Sequence, residues 1–260
     1  MSITSLSLDA LPIWAIYLLT VLVLLAVMEA GYRLAKFSQQ KEPVKSDPGV
    51  GTTAGATLAL LAFLLTFIVS YAANLSSQRR TLVIEEANAI GTAYLRAGYL
   101  DEPYRKESRD LLREYVDIRL AALDSEMLVV AVVTRSEEIH NELWSRAEQI
   151  ARESPLDITG LYISAVNDVI NIHTERIIYG IDIRVPATVL LGLYIVAMFT
   201  MFLVGMQSGY AEKRNLIALI VLVLILSVVF FLIIDLDRSQ EGLMRVPQQA
   251  LYDLQRKINP

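Results

Sequence analysis

The sequence has no cysteine, and histidine accounts for only two of its 260 residues. The missing cysteines exclude disulfide bonds, thiolate catalysis and zinc–cysteine sites. His140 and His173 lie outside any HExxH or nucleophile–base pattern, and the chain has no glycine-rich phosphate loop. These absences predict that the protein is not an enzyme. A net charge of −5 also argues against a nucleic-acid partner, which would require a basic surface.

Charge is also absent from four long apolar runs, at positions 11–28, 50–73, 185–206 and 216–234. Each run is long enough to cross about 30 Å of hydrocarbon, which takes about 20 helical residues. The composition agrees, with 54% hydrophobic residues and a mean hydropathy of +0.46. We therefore predict an all-α membrane protein with four transmembrane helices. Because no run has an ionisable residue near its midpoint, an actively coupled transporter is disfavoured.

The charged segment 74–184 separates the second apolar run from the third, and it lacks the alternation typical of strands. The second helix is expected to continue into it, to a total of about 50 residues. Further helices are predicted from Asp101, as the N-terminal cap, to about Leu123, then over 129–153 and 158–181. The predicted divisions are 1–49 (first transmembrane helix and basic loop), 50–73 (second transmembrane helix), 74–184 (extramembrane helical domain), 185–235 (third and fourth transmembrane helices) and 236–260 (C-terminal tail).

Basic residues near the ends of the runs bear on the orientation in the membrane. Those of the two short loops are Arg33, Lys36, Lys41, Lys45, Lys213 and Arg214. Six arginines flank the same runs from the other side, so the raw count is equal. The N-terminal tail, 1–10, has no basic residue. This difference favours short loops in the cytoplasm and a helical domain outside the membrane.

The second apolar run has small and hydroxyl residues at steps of three and four. They are Gly51, Gly55, Ala59, Ala62, Thr66 and Ser70. A helix places such residues in one stripe, and the GxxxG at 51–55 is typical of closely packed membrane helices. The stripe therefore indicates either tight helix packing, within or between chains, or the lining of a pore. A ring of closely packed second helices would satisfy both interpretations.

Large apolar side chains of the same helix could form a constriction that gates by wetting, which needs no charge. The candidates are Leu60, Phe63, Leu64 and Phe67. Beyond the run, a polar stripe could line a vestibule; its candidates are Gln78, Glu85, Asn88 and Thr92. Glu86 falls in a mostly apolar row, so it requires a partner, and the nearest basic residues are Arg79, Arg80 and Arg96.

Acidic residues cluster where the fourth helix leaves the bilayer. Asp235, Asp237 and Glu241 could hold a hard cation such as Ca²⁺, because such ions prefer oxygen ligands. Arg238 lies among them, so an Asp–Arg pair at a helix end is the alternative. No other cofactor is expected.

Five segments resemble those of the bacterial bestrophin-like membrane protein family. They are SSQRRTLVIEEANAIGTAYLR at 76–96, LYISAVNDVINIHTERI at 161–177, RVPATVLLGL at 184–193, GMQSGY at 205–210 and LIIDLDRSQEGLMRVPQQAL at 232–251. The chain has Ser239 where the family pattern places a proline. The resemblance implies kinship with bestrophins, which are pentameric anion channels with four spans per subunit and a pore lined by the second span. Bestrophins keep their large domain in the cytosol, whereas the charge distribution here favours the outside.

The expected function is a passive ion channel formed by a homo-oligomer and lined by the second transmembrane helix. Its expected partners are membrane lipid, further copies of the chain and small inorganic ions, in a bacterial inner membrane. The alternative is a non-conducting scaffold or sensor whose extramembrane domain binds a partner protein. A closed ring with the second helices innermost would favour the channel, and a dimer without an axial gap would favour the scaffold.

Overall fold

The computed structural model describes residues 11–41, 48–121, 129–153, 157–211, 214–238 and 244–259. Within these residues every regular element is helical, which confirms the predicted all-α class. The helices are α1 (Ile13–Lys41), α2 (Pro48–Ala97), α3 (Tyr104–Ala121), α4 (Val129–Glu153), α5 (Asp157–Ile177), α6 (Ala187–Tyr210), α7 (Leu216–Asp237) and α8 (Gln249–Ile258). A short π-helical segment, Ile178–Asp182, follows α5. Leu123, Ser239 and Glu241 lie outside the described residues.

Within the described part of the chain, four stretches are long and apolar enough to cross a membrane, as the sequence predicts. They are Ile13–Gln40, Gly49–Ala97, Asp157–Tyr210, which includes α5, the π-helical segment and α6, and Leu216–Asp237. The second is the 50-residue helix α2, whose predicted continuation beyond the apolar run is confirmed. At 1.5 Å per residue this helix is about 75 Å long, more than twice what a bilayer core requires. Its uncharged run, 50–73, is the part that the sequence predicts to cross the bilayer.

The chain divides into two compact units, residues 1–76 with 184–245 and residues 77–183 with 246–260. We call the first the membrane unit and the second the helical domain. In the membrane unit, α1 packs chiefly against α6. Pro186 precedes α6, where its fixed φ of −58° suits the start of a helix.

Glycines permit the close crossing of α1 and α6. A Cβ atom at Gly205 would overlap the carbonyl oxygen of Met28, and one at Gly31 would overlap that of Phe202. A Cβ at Gly209 would lie 2.9 Å from the nearest carbonyl oxygen of α1. The GxxxG at 205–209 therefore brings two helix backbones together within one subunit.

The helical domain has a core of its own, built from the second half of α2 with α3, α4, α5 and α8. Fully buried members include Ile90, Leu112, Leu143 and Val166. The last helix of the described residues, α8, lies in the segment predicted as a C-terminal tail. Its buried residues, Leu251, Leu254 and Ile258, follow a helical period of three and four, so one face joins the core.

Candidate functional site

One face of α2 is left uncovered in the membrane unit, and it carries the small-residue stripe. Gly55, Ala59, Ala62, Thr66 and Ser70 are exposed, and Gly51 is half-buried. A Cβ atom at Gly55 would meet nothing within 4 Å. From Gly55 to Ser70 the stripe is therefore left open in its own subunit, whereas Gly51 lies against the side chain of Gln207 on α6. The buried side of the helix is formed by Ala54, Leu61, Leu65 and Ala72.

The large apolar candidates lie beside this stripe on the same uncovered face. Leu60, Phe63 and Phe67 are 51%, 60% and 59% exposed, and Leu64 is half-buried. The rings of Phe63 and Phe67 meet edge to face with centroids 4.8 Å apart. Such contact is favourable for aromatic rings and supports their orientation. The face thus has two adjoining parts, one of small residues and one of large apolar residues.

The vestibule candidates continue this face beyond the apolar run. Gln78, Glu85, Asn88 and Thr92 are all exposed on α2. The Thr92 hydroxyl donates to the Asn88 carbonyl at 2.9 Å, and that of Thr66 donates to the Ala62 carbonyl at 2.9 Å. These threonines therefore satisfy their own protons and present only oxygen lone pairs outward.

Glu86, the neighbour of exposed Glu85, is fully buried and forms the centre of a polar cluster in the helical domain. Tyr115 of α3 donates its hydroxyl to one Glu86 oxygen at 2.7 Å, and Arg176 of α5 pairs with the other oxygen. Arg119 of α3 lies 3.4 Å from the carboxylate through its Nε. Gln248, just before α8, accepts from Arg176 at 3.3 Å. A buried carboxylate on α2 is thereby held by side chains of two other helices, α3 and α5.

Both histidines of the chain complete this buried polar cluster. The His173 Nδ1 lies 2.9 Å from the Tyr115 hydroxyl oxygen. The His140 ring of α4 lies 4.7 Å from the His173 ring and 4.9 Å from the Tyr115 ring, between centroids. Because Tyr115 has one proton and gives it to Glu86, its oxygen must accept from His173 Nδ1–H. His173 is therefore the Nδ1–H tautomer, with a bare lone pair on Nε2.

The electrostatics of the cluster keep Glu86 charged and the imidazoles neutral. Burial opposes ionisation of Glu86, but the charges of Arg176 and Arg119 hold its pKa below the usual value. Burial lowers the pKa of His140 to about 4. Burial, with the nearby charge of Arg119, lowers the pKa of His173 to about 3. Burial and the charge of Glu86 raise the pKa of Tyr115 well above 10.

The partners of Glu86 differ from those expected from the nearest basic residues. Arg79 donates to the carbonyl oxygens of Tyr179 and Ile183, at 2.7 and 2.9 Å. Arg96 donates to the Leu161 carbonyl at 2.7 Å, and Arg80 is exposed. The true partners lie 33 and 90 residues further along the chain, at Arg119 and Arg176.

Sequence reasoning also missed Tyr115, His140 and His173 as a group. The three residues lie on three different helices, so none of these helices shows two of them at a spacing typical of a site. One signal was available, because the only two histidines fall on the apolar faces of neighbouring helices, beside Ile139 and Val169. Such a pair indicates a buried polar site once the helices are known to pack together.

The acidic residues at the end of α7 hold backbone groups of the membrane unit. Asp237 accepts from the Val185 amide at 2.7 Å, and Asp235 accepts from the Met244 amide at 3.2 Å. Arg238 donates to the Leu11 carbonyl at 2.9 Å. Among the described residues no group of three possible metal-binding side chains occurs. Glu241 lies outside them, so the calcium site stays a prediction.

Comparison with known proteins places these features in a family. A family model described as a bestrophin-like domain matches residues 12–251. A solved structure described as the crystal structure of a membrane protein aligns with a TM-score of 0.68 over 95% of this chain and 97% of that one. Its sequence identity of 14% makes this a likeness of fold alone. None of the curated proteins matches the sequence. The family match extends from the start of α1 into α8, and the chain belongs to the bestrophin-like family.

Proposed function

We propose that the chain forms a homo-oligomeric passive ion channel in which the α2 helices surround the conduction path. One observation carries this proposal. A single helix is buried along one side and uncovered along the other, from Gly55 in the apolar run to Thr92 in the helical domain. Membership of a channel-like family supports the same function.

The two parts of the uncovered face suit two different roles in a ring of subunits. Small residues let neighbouring helices approach closely, so the stripe that includes Gly55 and Ala62 would contact the next subunit. The large apolar residues Phe63 and Phe67 would face the path and narrow it. Further along α2, Gln78 and Glu85 continue the same line at helical steps, so the path would change from apolar to polar.

The charged residues near the polar row of α2 that includes Gln78 and Asn88 bear on ion selectivity. Arg79 is buried and bonded to two carbonyl oxygens, so its charge is directed away from the proposed path. Glu85 is exposed on the line of Gln78 and Asn88. A ring of Glu85 carboxylates would attract cations unless the charge of Arg80, which is exposed on the same helix, outweighs it. We therefore expect Glu85→Gln to lower the permeability ratio of potassium over chloride in proteoliposomes.

Ion flux through the purified protein in liposomes tests the proposal. Phe67→Ala should raise the flux several-fold, because it removes a ring from the proposed constriction. Phe199→Ala is the matched control, since Phe199 is 67% exposed on α6, outside the proposed path. Flux equal to that of empty liposomes for both wild type and Phe67→Ala would contradict the channel.

That negative result would favour the alternative, a non-conducting scaffold or sensor in the membrane. The two functions also differ in assembly. The channel requires a closed ring with α2 innermost, whereas the scaffold would allow a dimer packed through Gly51 and Gly55 with no axial gap.

We further propose that the protein resides in a bacterial inner membrane with its helical domain outside. Basic residues near the ends of the spans, among them Arg33 towards the end of α1 and Arg214 just before α7, support this orientation. Because the chain has no cysteine, the single substitution Glu137→Cys, at an exposed position of α4, places one reactive thiol in the helical domain. A membrane-impermeant maleimide should label this residue in intact cells whose outer membrane is permeable. Labelling only after lysis of the inner membrane would show that the helical domain lies in the cytoplasm, which is the opposite orientation.

A further inference from the structure

The buried polar cluster around Glu86 carries an unbalanced charge. Glu86 contributes one negative charge, and Arg119 and Arg176 contribute two positive charges, with side chains only 0%, 11% and 14% exposed. With His140 and His173 neutral, the net charge is +1. An unbalanced buried charge is expensive, and a second one of the same sign close by would be more so.

Three members of the cluster have a buried side-chain atom without a hydrogen-bond partner, and a nearby serine on α4 has a fourth. Within the described part of the chain they include Arg119 Nε, His140 Nε2, His173 Nε2 and Ser136 Oγ. Ser136 lies one turn before His140 on α4. The tautomer assigned to His173 leaves a lone pair on its Nε2, which is a vacant proton acceptor. The cluster therefore holds a base that has no partner beside two fixed cations.

Charged or titratable groups act on the two imidazoles from each helix that surrounds them. Glu86 comes from α2, Tyr115 and Arg119 from α3, and Arg176 from α5 together with His173 itself. His140 is the member from α4. Glu86 is the one negative charge in this set, and both of its oxygens are already engaged. A new positive charge on either imidazole would find no free counter-ion in the cluster.

We propose that His140 and His173 form a proton-binding switch of the helical domain. A proton taken from water at an imidazole nitrogen raises the charge of the cluster from +1 to +2. The added repulsion against Arg119 and Arg176 separates α4 and α5 from the helices that carry Glu86 and Tyr115. Release of the proton restores the closed arrangement.

The sign of the pH dependence follows from the geometry. The closed domain binds the proton more weakly than an exposed histidine, whose pKa is near 6.5. The lowered pKa values of His140, about 4, and of His173, about 3, agree with this. The closed form is therefore fully favoured above pH 6.5 and loses its advantage as the pH falls towards 4. The open form is the state that takes up protons.

Nitrogen NMR of the full chain in liposomes tests the closed state directly. The chain has only two histidines, so ¹⁵N-histidine labelling gives four ring signals. At pH 7.5 His173 should show the Nδ1–H tautomer, with a non-protonated Nε2, and both rings should stay neutral down to about pH 5. Either ring titrating near pH 6.5, or an Nε2–H tautomer at His173, would overturn the proposal.

A second measurement tests whether proton uptake opens the domain. Trp144 lies one turn after His140 on α4, and Trp14 is the only other tryptophan. In a Trp14→Phe background, Trp144 fluorescence and amide exchange in α4 and α5 should change together between about pH 5.5 and 3.5. The double variant His140→Gln with His173→Gln should shift that transition by at least one pH unit to more acidic values. An unshifted transition, or protonation without any change in exchange, would refute the switch.

These measurements concern the helical domain alone. Loss of ion flux in the channel experiment would leave the proton-binding proposal standing, and failure of the NMR titration would leave the channel proposal standing.

Discussion

Replacing Glu86 with glutamine should strongly destabilise the helical domain, because its buried carboxylate is the counter-ion of two arginines. The substitution keeps the size of the side chain and removes one charge. It leaves the largely buried side chains of Arg119 and Arg176 with no carboxylate between them, and it weakens the hydrogen bond from Tyr115. The substitution therefore leaves two positive charges to repel each other in a poorly solvated site.

The loss of stability follows from the burial of the ion pairs around Glu86. Removing one partner of a buried ion pair costs about 3–5 kcal/mol, because the remaining charge is left uncompensated. For a domain of this size, 1 kcal/mol shifts the melting temperature by about 4 °C or more. Glu86→Gln should therefore lower the melting temperature of the domain by at least about 10 °C. Adding Arg176→Gln to the same chain should recover part of the loss, since it removes one unpaired cation.

Thermal unfolding of the full chain in detergent, followed by Trp144 fluorescence in a Trp14→Phe background, measures this loss. Glu85→Gln is the matched control, because Glu85 is adjacent in sequence but exposed. Exposed substitutions of this kind change stability by about 0.5 kcal/mol or less. Equal melting temperatures for Glu85→Gln and Glu86→Gln would refute the assignment of Glu86 as the buried centre of the cluster.

The remaining predictions concern pH, packing and assembly. Lowering the pH from 6.5 to 4.5 should reduce the free energy of unfolding of the domain by about 2–3 kcal/mol through His140 alone. The reason is that its pKa is about 4 in the folded domain and higher in the unfolded chain. Denaturant titration at both pH values measures this free energy. Gly205→Ala should destabilise the membrane unit by about 1–3 kcal/mol because its Cβ would overlap a backbone oxygen, whereas Gly55→Ala should leave the melting temperature unchanged. Gly55→Leu should disrupt the oligomer while the subunit stays folded. Light scattering measures the size of the oligomer, and thermal unfolding measures the stability of the subunit. An unchanged oligomer, or an unfolded subunit, would contradict this prediction.

Helical periodicity and uncharged length were sufficient to predict most of the fold. The four spans, the 50-residue α2 and the helix over 129–153 follow from local sequence, because each depends on residues within a few turns. The exposure of Gly55 and Phe67 could not be predicted in the same way. Which side of α2 joins the buried core of the membrane unit depends on how the helices of that unit pack together.

The buried polar cluster shows a second limit of sequence reasoning. The burial of Glu86 follows from its apolar row on α2, but its partners depend on contacts across 33 and 90 residues. The nearer Arg79 and Arg96 bind backbone carbonyl oxygens instead. The close crossing of α1 and α6 had a visible signal, the GxxxG at 205–209. The similar motif at 51–55 was equally visible, and Gly55 has no neighbour within the subunit.

The most direct test of the proposed channel is an image of the purified oligomer at side-chain resolution. We predict a closed ring in which α2 is the innermost helix. The stripe from Gly55 to Ser70 should contact a neighbouring subunit, and Phe63 and Phe67 should face the central axis. An assembly in which this face of α2 meets lipid, with no axial path between subunits, would contradict the proposal.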